Sequence, residues 1–86
     1  MKEYEKILKA LANRRRLEIL KHLKDKGRAT VGELAEKIKL SFKSTSRHLS
    51  ILSAINIVDK DQLGLSMIYF INPKLSLIAT LIIKQL

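Results

Sequence analysis

The sequence contains no cysteine, which excludes disulfides, thiolate metal sites and cysteine nucleophiles. It is poor in acid: 8 Asp plus Glu stand against 17 Lys plus Arg, for a formal net charge of +9. That imbalance favours a polyanionic partner, most simply nucleic acid. Long apolar runs are also missing. The most apolar stretch, Leu75 to Leu86, is interrupted by Ser76, Thr80, Lys84 and Gln85, and spanning a bilayer takes about 20 residues. The opening MKEYEKILKA is amphipathic, without the apolar core of a signal peptide. A soluble, cytoplasmic protein is expected. Glycine is scarce, and no glycine-rich phosphate loop occurs. His22 and His48 have no evident carboxylate partner, so the parts of an enzyme active site are lacking and no catalytic activity is expected.

What is present is enough for one small domain. A chain of 86 residues buries a modest fraction of its surface and often gains stability by association. Its hydrophobic content of 47% is that of a folded domain. Tyr4, Ile7, Leu8 and Leu11 recur at helical spacing and predict a helix over 2–11. Asn13 then caps a helix with Leu17, Ile19, Leu20 and Leu23 on its apolar face, ending at Gly27. Thr30 and Glu33 form a capping box ahead of the stripe Val31, Leu34, Ala35 and Ile38. After the break at Leu40-Ser41, Ser41 caps a helix over 42–54 that ends before Asn56. Thr45, Leu49 and Leu52 point inward on it. Two β-rich runs, Ile57 to Asp61 and Ser66 to Ile71, flank Gln62-Leu63-Gly64-Leu65 and read as a hairpin. Asn72-Pro73 looks like a cap with proline at the first helical position, predicting a last helix over 74–86.

The segment TVGELAEKIKLSFKSTSRHLSIL, from Thr30 to Leu52, carries the chemistry. The outer face of the helix 42–54 is small, polar and basic: Lys43, Ser44, Ser46, Arg47 and Ser50. Small hydroxyl side chains let a helix sit close to a major groove, and Arg and Lys neutralise phosphates or read guanine. The free N–H groups at its start can also hold a phosphate. No Asp or Glu occurs between Lys37 and Val58, as electrostatic contact with DNA requires. Much of the charge lies elsewhere: residues 1–28 hold ten Lys or Arg against four acids.

LANRRRLEILKHL, then the segment above, then the hairpin ending MIYFINP together resemble the ArsR family of winged-helix repressors. The resemblance covers nearly the whole chain. Its most specific parts are Arg16-Leu17 with Ile19-Leu20, Glu33-Leu34-Ala35, and Ser46-Arg47-His48-Leu49 with Leu52. It implies a dimer that binds an operator and is often released by a small effector. Phe42, Lys43, Ser44, Ser46, Arg47 and His48 fall where that family contacts DNA. Phe42 departs from the usual polar residue; it either touches a thymine methyl or, as expected here, packs on the preceding helix. His48 either reaches DNA or makes a hydrogen bond within the domain. Arg16 matches a recurrent family position and is either structural or DNA-facing. Arg14 and Arg15 are candidate phosphate contacts, with a solvated basic cluster as the alternative. Relatives carry Arg or Lys on the wing; here Asp59 and Asp61 flank Lys60, so Lys60 is a minor candidate. Metal-sensing relatives use cysteines around the third helix or Asp and His on the last one. The matching positions are Thr30 and Gly32, and residues 73–86 hold no Asp, Glu or His. No metal or cofactor is expected, and the effector stays open.

The expected fold is mainly α with a small β-hairpin, a winged helix-turn-helix of order α-α-α-α-β-β-α in one domain, 1–86. A last helix apolar nearly all round needs cover on both sides. A second copy of the chain most simply supplies it, with the helices 2–11 and 74–86 as dimerisation elements; complete burial within the monomer is the alternative. The expected interface is Tyr4, Leu8, Leu11, Leu75, Ile78, Leu81, Ile82 and Leu86. A two-fold dimer predicts a palindromic double-stranded DNA operator. The alternative is a winged-helix module that binds other proteins without DNA specificity.

Overall fold

Four hydroxyl or amide side chains fix where most of the helices begin. The computed structural model describes all residues, Met1–Leu86. Helix α1 (Lys2–Leu11) leads into α2 (Arg14–Lys26), whose cap Asn13 accepts the N–H of Arg16 at 3.1 Å. Thr30 caps α3 (Val31–Ile38): its hydroxyl accepts the Glu33 N–H at 3.1 Å, and the Glu33 carboxylate accepts the Thr30 N–H at 2.9 Å. The Thr30 backbone N–H, and after it the Thr30 side chain, hold the Glu33 carboxyl below its ordinary range. Ser41 caps α4 (Phe42–Ala54), accepting the Ser44 N–H at 3.0 Å. Ser76 caps α5 (Leu77–Lys84) through the Ala79 N–H at 3.4 Å. A cap of this kind contributes about 1 kcal/mol. Gly27 (φ 89°) closes α2 and Asn56 (φ 61°) follows α4, both in the left-handed region that Gly and Asn tolerate best.

The start of α5 corrects the expected helix 74–86. Asn72 does not cap it. Its side chain donates to the Asn56 carbonyl at 3.0 Å and accepts the Lys74 N–H at 2.9 Å. Asn72 and Pro73 therefore make a turn that fastens the end of the hairpin to the end of α4, and Ser76 starts the helix instead.

A second correction is a strand. Besides β2 (Val58–Leu63) and β3 (Ser66–Ile71), a short β1 (Arg28–Thr30) joins the sheet, giving the antiparallel order β1-β3-β2. Its register sets Arg28 opposite Phe70, Ala29 opposite Tyr69 and Thr30 opposite Ile68. The hairpin is tight: Leu63 pairs with Ser66, leaving Gly64 (φ 63°) and Leu65 as its turn. A positive φ at the first central residue is what a type II′ hairpin requires.

The core gathers Ile19, Leu20 and Leu23 of α2, Leu34 of α3, Leu49 and Leu52 of α4, and Ile57 and Val58 at the hairpin's start, all at most 1% exposed. Ala79 and Ile83 of α5 close it from one side. Leu11, expected on the outward face of α1 with Tyr4 and Leu8, instead lies in the core at 3% exposure. Helix geometry gives the reason: Leu11 follows Ala10 at the end of α1, where the chain turns into α2 and both are buried. No helix is long and apolar enough to cross a membrane.

Candidate nucleic-acid interface

Helix α4 is held by its inner face. The Thr45 side chain is fully buried, and its hydroxyl donates to the Ser41 carbonyl at 2.8 Å. Leu49 and Leu52 are 0% exposed. At about 100° per residue, fixing these three sets the rest. Lys43, Arg47 and Ser50 occupy the opposite pole and are exposed, as is Phe42 at the helix start. Ser44 and Ser46 are half-buried on the flanks. No acid lies in the first turn of α4, so nothing opposes an anion approaching its free N–H groups.

Phe42 corrects the expectation that it packs on α3. It is 62% exposed and, rather than packing into α3, borders a cleft of about 500 Å³ that α4 shares with the start of α3 and the hairpin. His48 lies on the other flank, toward α2. Burial and the nearby cations Arg16, Arg15 and Arg47 hold its imidazole below the usual histidine range. Its Nδ1 is inaccessible and has no hydrogen-bond partner; the same is true of Arg16 Nε. The internal hydrogen bond entertained for His48 is not formed at that nitrogen.

The arginines at the start of α2 divide. Arg14 projects outward with its side chain 87% exposed, 3.9 Å from Glu18. Arg15 is engaged within the fold: its guanidinium donates to the Ile38 carbonyl at 2.6 Å and to Glu18 at 3.2 Å. It thereby satisfies a terminal carbonyl of α3 that the helix itself cannot. Lys60 sits 6.0 Å from the Tyr69 ring centroid, a cation–π arrangement, between the exposed Asp59 and Asp61. The sequence reading did not single out Leu65 and Met67, which are 104% and 40% exposed. At the turn and on β3 they read as ordinary hairpin residues, and only the folded hairpin brings them to the cleft beside Phe42.

A cationic helix supported on a helix-turn-helix, with a three-stranded wing beside it, is the arrangement of a winged DNA-binding regulator. The pattern defining the bacterial regulatory protein, arsR family, matches residues 13–60, more than half of the chain. The chain belongs to the ArsR family. An arsenical resistance operon repressor of Bacillus subtilis is 35% identical over 72 residues, covering 84% of this chain and 69% of the relative. Among solved structures, NolR of Sinorhizobium fredii superposes with a TM-score of 0.84 at 32% identity, covering 98% of this chain and 80% of NolR. The homodimeric winged helix-turn-helix DNA-binding domain of a possible ArsR-family regulator from Mycobacterium bovis gives 0.84 at 25% identity, over 98% of this chain and 74% of that one. This ArsR protein is thus a winged-helix, DNA-binding transcriptional regulator and not an enzyme.

Proposed function

We propose that this ArsR protein is a homodimeric repressor that lays α4 in the major groove of a palindromic operator. The acid-free outward face of α4, with Lys43 and Arg47 exposed at its pole, carries the reading. Lys43, Ser44, Ser46 and Arg47 face the groove, His48 meets it from the flank toward α2, and Arg14 meets a flanking phosphate. Arg15 and Lys60, already engaged within the fold, are left out of the contact set. The Bacillus relative is a repressor, which supports the sign of the regulation. A regulator acts where the DNA is, which places it in the cytoplasm. The effector is left open.

The terminal helices supply the dimer. Tyr4 and Leu8 of α1 are 58% and 45% exposed, and Leu77 and Leu81 of α5 are 74% and 52% exposed. Leu75, Ile78, Ile82 and Leu86 are half-buried beside them. A second copy meeting this surface across a two-fold axis would cover it on both sides at once. The two α4 helices would then lie roughly 34 Å apart, one turn of DNA. The mycobacterial domain is homodimeric, in keeping with this. Leu81→Glu is expected to give a folded monomer by light scattering, with operator affinity sharply reduced; a dimer of native mass would refute this interface. Leu81 is the cleaner site than Ile82, which also packs on the core.

Fluorescence-anisotropy titration of random and genomic duplexes at two salt concentrations tests the main reading. Steeply salt-dependent binding, much tighter to one sequence, is the expected result. No binding at low salt by a well-folded dimer would favour the protein-interaction module, the reading that Asp59 and Asp61 on the wing suit best.

His48 adds a pH dependence. In the free protein its neutral form is favoured, by burial and by Arg16, Arg15 and Arg47. A phosphate brought to that cluster favours the charged form, so binding takes up a proton. Affinity should therefore rise as pH falls from about 7.5 to about 5.5, while His48→Gln shows a flatter profile. Stability moves the other way. A histidine held low contributes stability above its ordinary range, and that contribution is lost as pH falls through the lowered one. Identical pH profiles for the two proteins would remove His48 from the interface.

A further inference from the structure

The structure gives Phe42 no internal reason to be aromatic. It is the first residue of α4, it is 62% exposed, and it belongs to no buried cluster. Across the cleft stand Leu65 at the hairpin tip and Met67 on β3, both exposed, with Tyr69, Ser46, Ser66 and the start of α3 (30–32) completing the walls. Single exposed apolar side chains are ordinary; several converging on one cleft mark a contact surface. The charges around the cleft choose its occupant. Lys43 and Arg47 stand on the same helix, no acid lies between Lys37 and Val58, and the chain carries +9. The wing's only cation near this side, Lys60, sits over Tyr69, so the hairpin presents apolar rather than ionic groups here. The fitting occupant is anionic along its length yet apolar at isolated points. Duplex DNA is such a ligand, because each thymine displays its C5-methyl in the major groove. The first turn of a recognition helix is also the part that reaches base edges.

We infer that Phe42 reads a thymine in each half-site through its C5-methyl, with Leu65 and Met67 walling the cleft beside it. This rests on the DNA-binding reading above and adds to it an apolar determinant of sequence. A phenylalanine at this place selects for a methyl group, whereas a polar side chain would select for a hydrogen-bonding edge.

The test begins with duplexes selected from a random pool by the wild-type protein. Each thymine of the selected operator is then replaced by deoxyuridine, which removes the methyl and nothing else. Wild type should lose about fourfold in affinity per half-site at one thymine, the worth of one buried methyl. Phe42→Gln, at an exposed position where folding is undisturbed, should bind the thymine and deoxyuridine operators alike. A wild-type protein indifferent to the methyl at every thymine overturns the inference. So does a Phe42→Gln protein that still discriminates fourfold, since a merely supporting Phe42 would weaken both operators equally. Failure to select any sequence overturns the DNA-binding reading itself, and this inference with it.

Discussion

Replacing Lys43 and Arg47 together by alanine is expected to remove operator binding and leave the fold as it is. Both side chains are exposed on the pole of α4 opposite Thr45, Leu49 and Leu52. Neither makes an ion pair or hydrogen bond within the chain. Alanine is the better helix former at both places, so the thermal midpoint should hold or rise slightly. An arginine bound to guanine contributes about 1–3 kcal/mol, and a two-fold dimer loses it twice, so affinity should fall roughly a hundredfold or more. Each lost phosphate contact also takes about 0.9 from the slope of log affinity against log salt. Anisotropy at two salt concentrations reads both effects. Tight, salt-sensitive binding by the double variant would sink the assignment of α4 as the reading helix.

Leu49→Ala is expected to have the opposite profile: a large loss of stability through a residue that touches no ligand. Leu49 is 0% exposed and belongs to the core that α4 shares with α2, α3 and the hairpin. Truncating such a leucine leaves a cavity that close-packed neighbours fill only partly, at a cost of about 2–5 kcal/mol. For a domain of this size, whose whole stability is on the order of 5–15 kcal/mol, each kcal/mol lowers the melting midpoint by about 4–8 °C. Calorimetry should therefore show a fall of at least roughly 8 °C. Below the transition, the folded fraction should still bind DNA with near wild-type affinity. A midpoint within about 3 °C of wild type would mean that the core tolerates the gap and that Leu49 does not anchor α4.

Local chemistry was legible in the sequence wherever a side chain acts on its own neighbours. Asn13, the Thr30–Glu33 box and Ser41 cap helices because they reach only three residues along the chain. The order of helices and hairpin, and the polar pole of α4, followed from the same short-range patterning. Elements decided by distant partners were not legible. The three residues of β1 are too few for their polar–apolar–polar alternation to signal a strand, and they become one because β3 lies beside them. Asn72 was a sound cap by type, but Asn56, sixteen residues away, claims its amide. Arg15 reads as a free cation until the end of α3 arrives to accept its hydrogen bond. The site divides in the same way. Lys43, Arg47 and the serines could be named from spacing, whereas the apolar cleft exists only once the hairpin turns Leu65 and Met67 toward Phe42.

Thr30 is at once the last residue of β1, paired with Ile68, and the cap of α3. No loop separates β1 from α3, so, although residues 55–57 link α4 to β2, the sheet is tied directly to the helix-turn-helix through Thr30. Helix α4 and the wing are therefore held in one fixed relation that is settled before any encounter. Little conformational freedom is left to lose on binding, which favours tight complexes with sites of the right shape. The same stiffness makes such a reader unforgiving. An operator whose groove departs from that shape must be met by deforming the DNA rather than the protein.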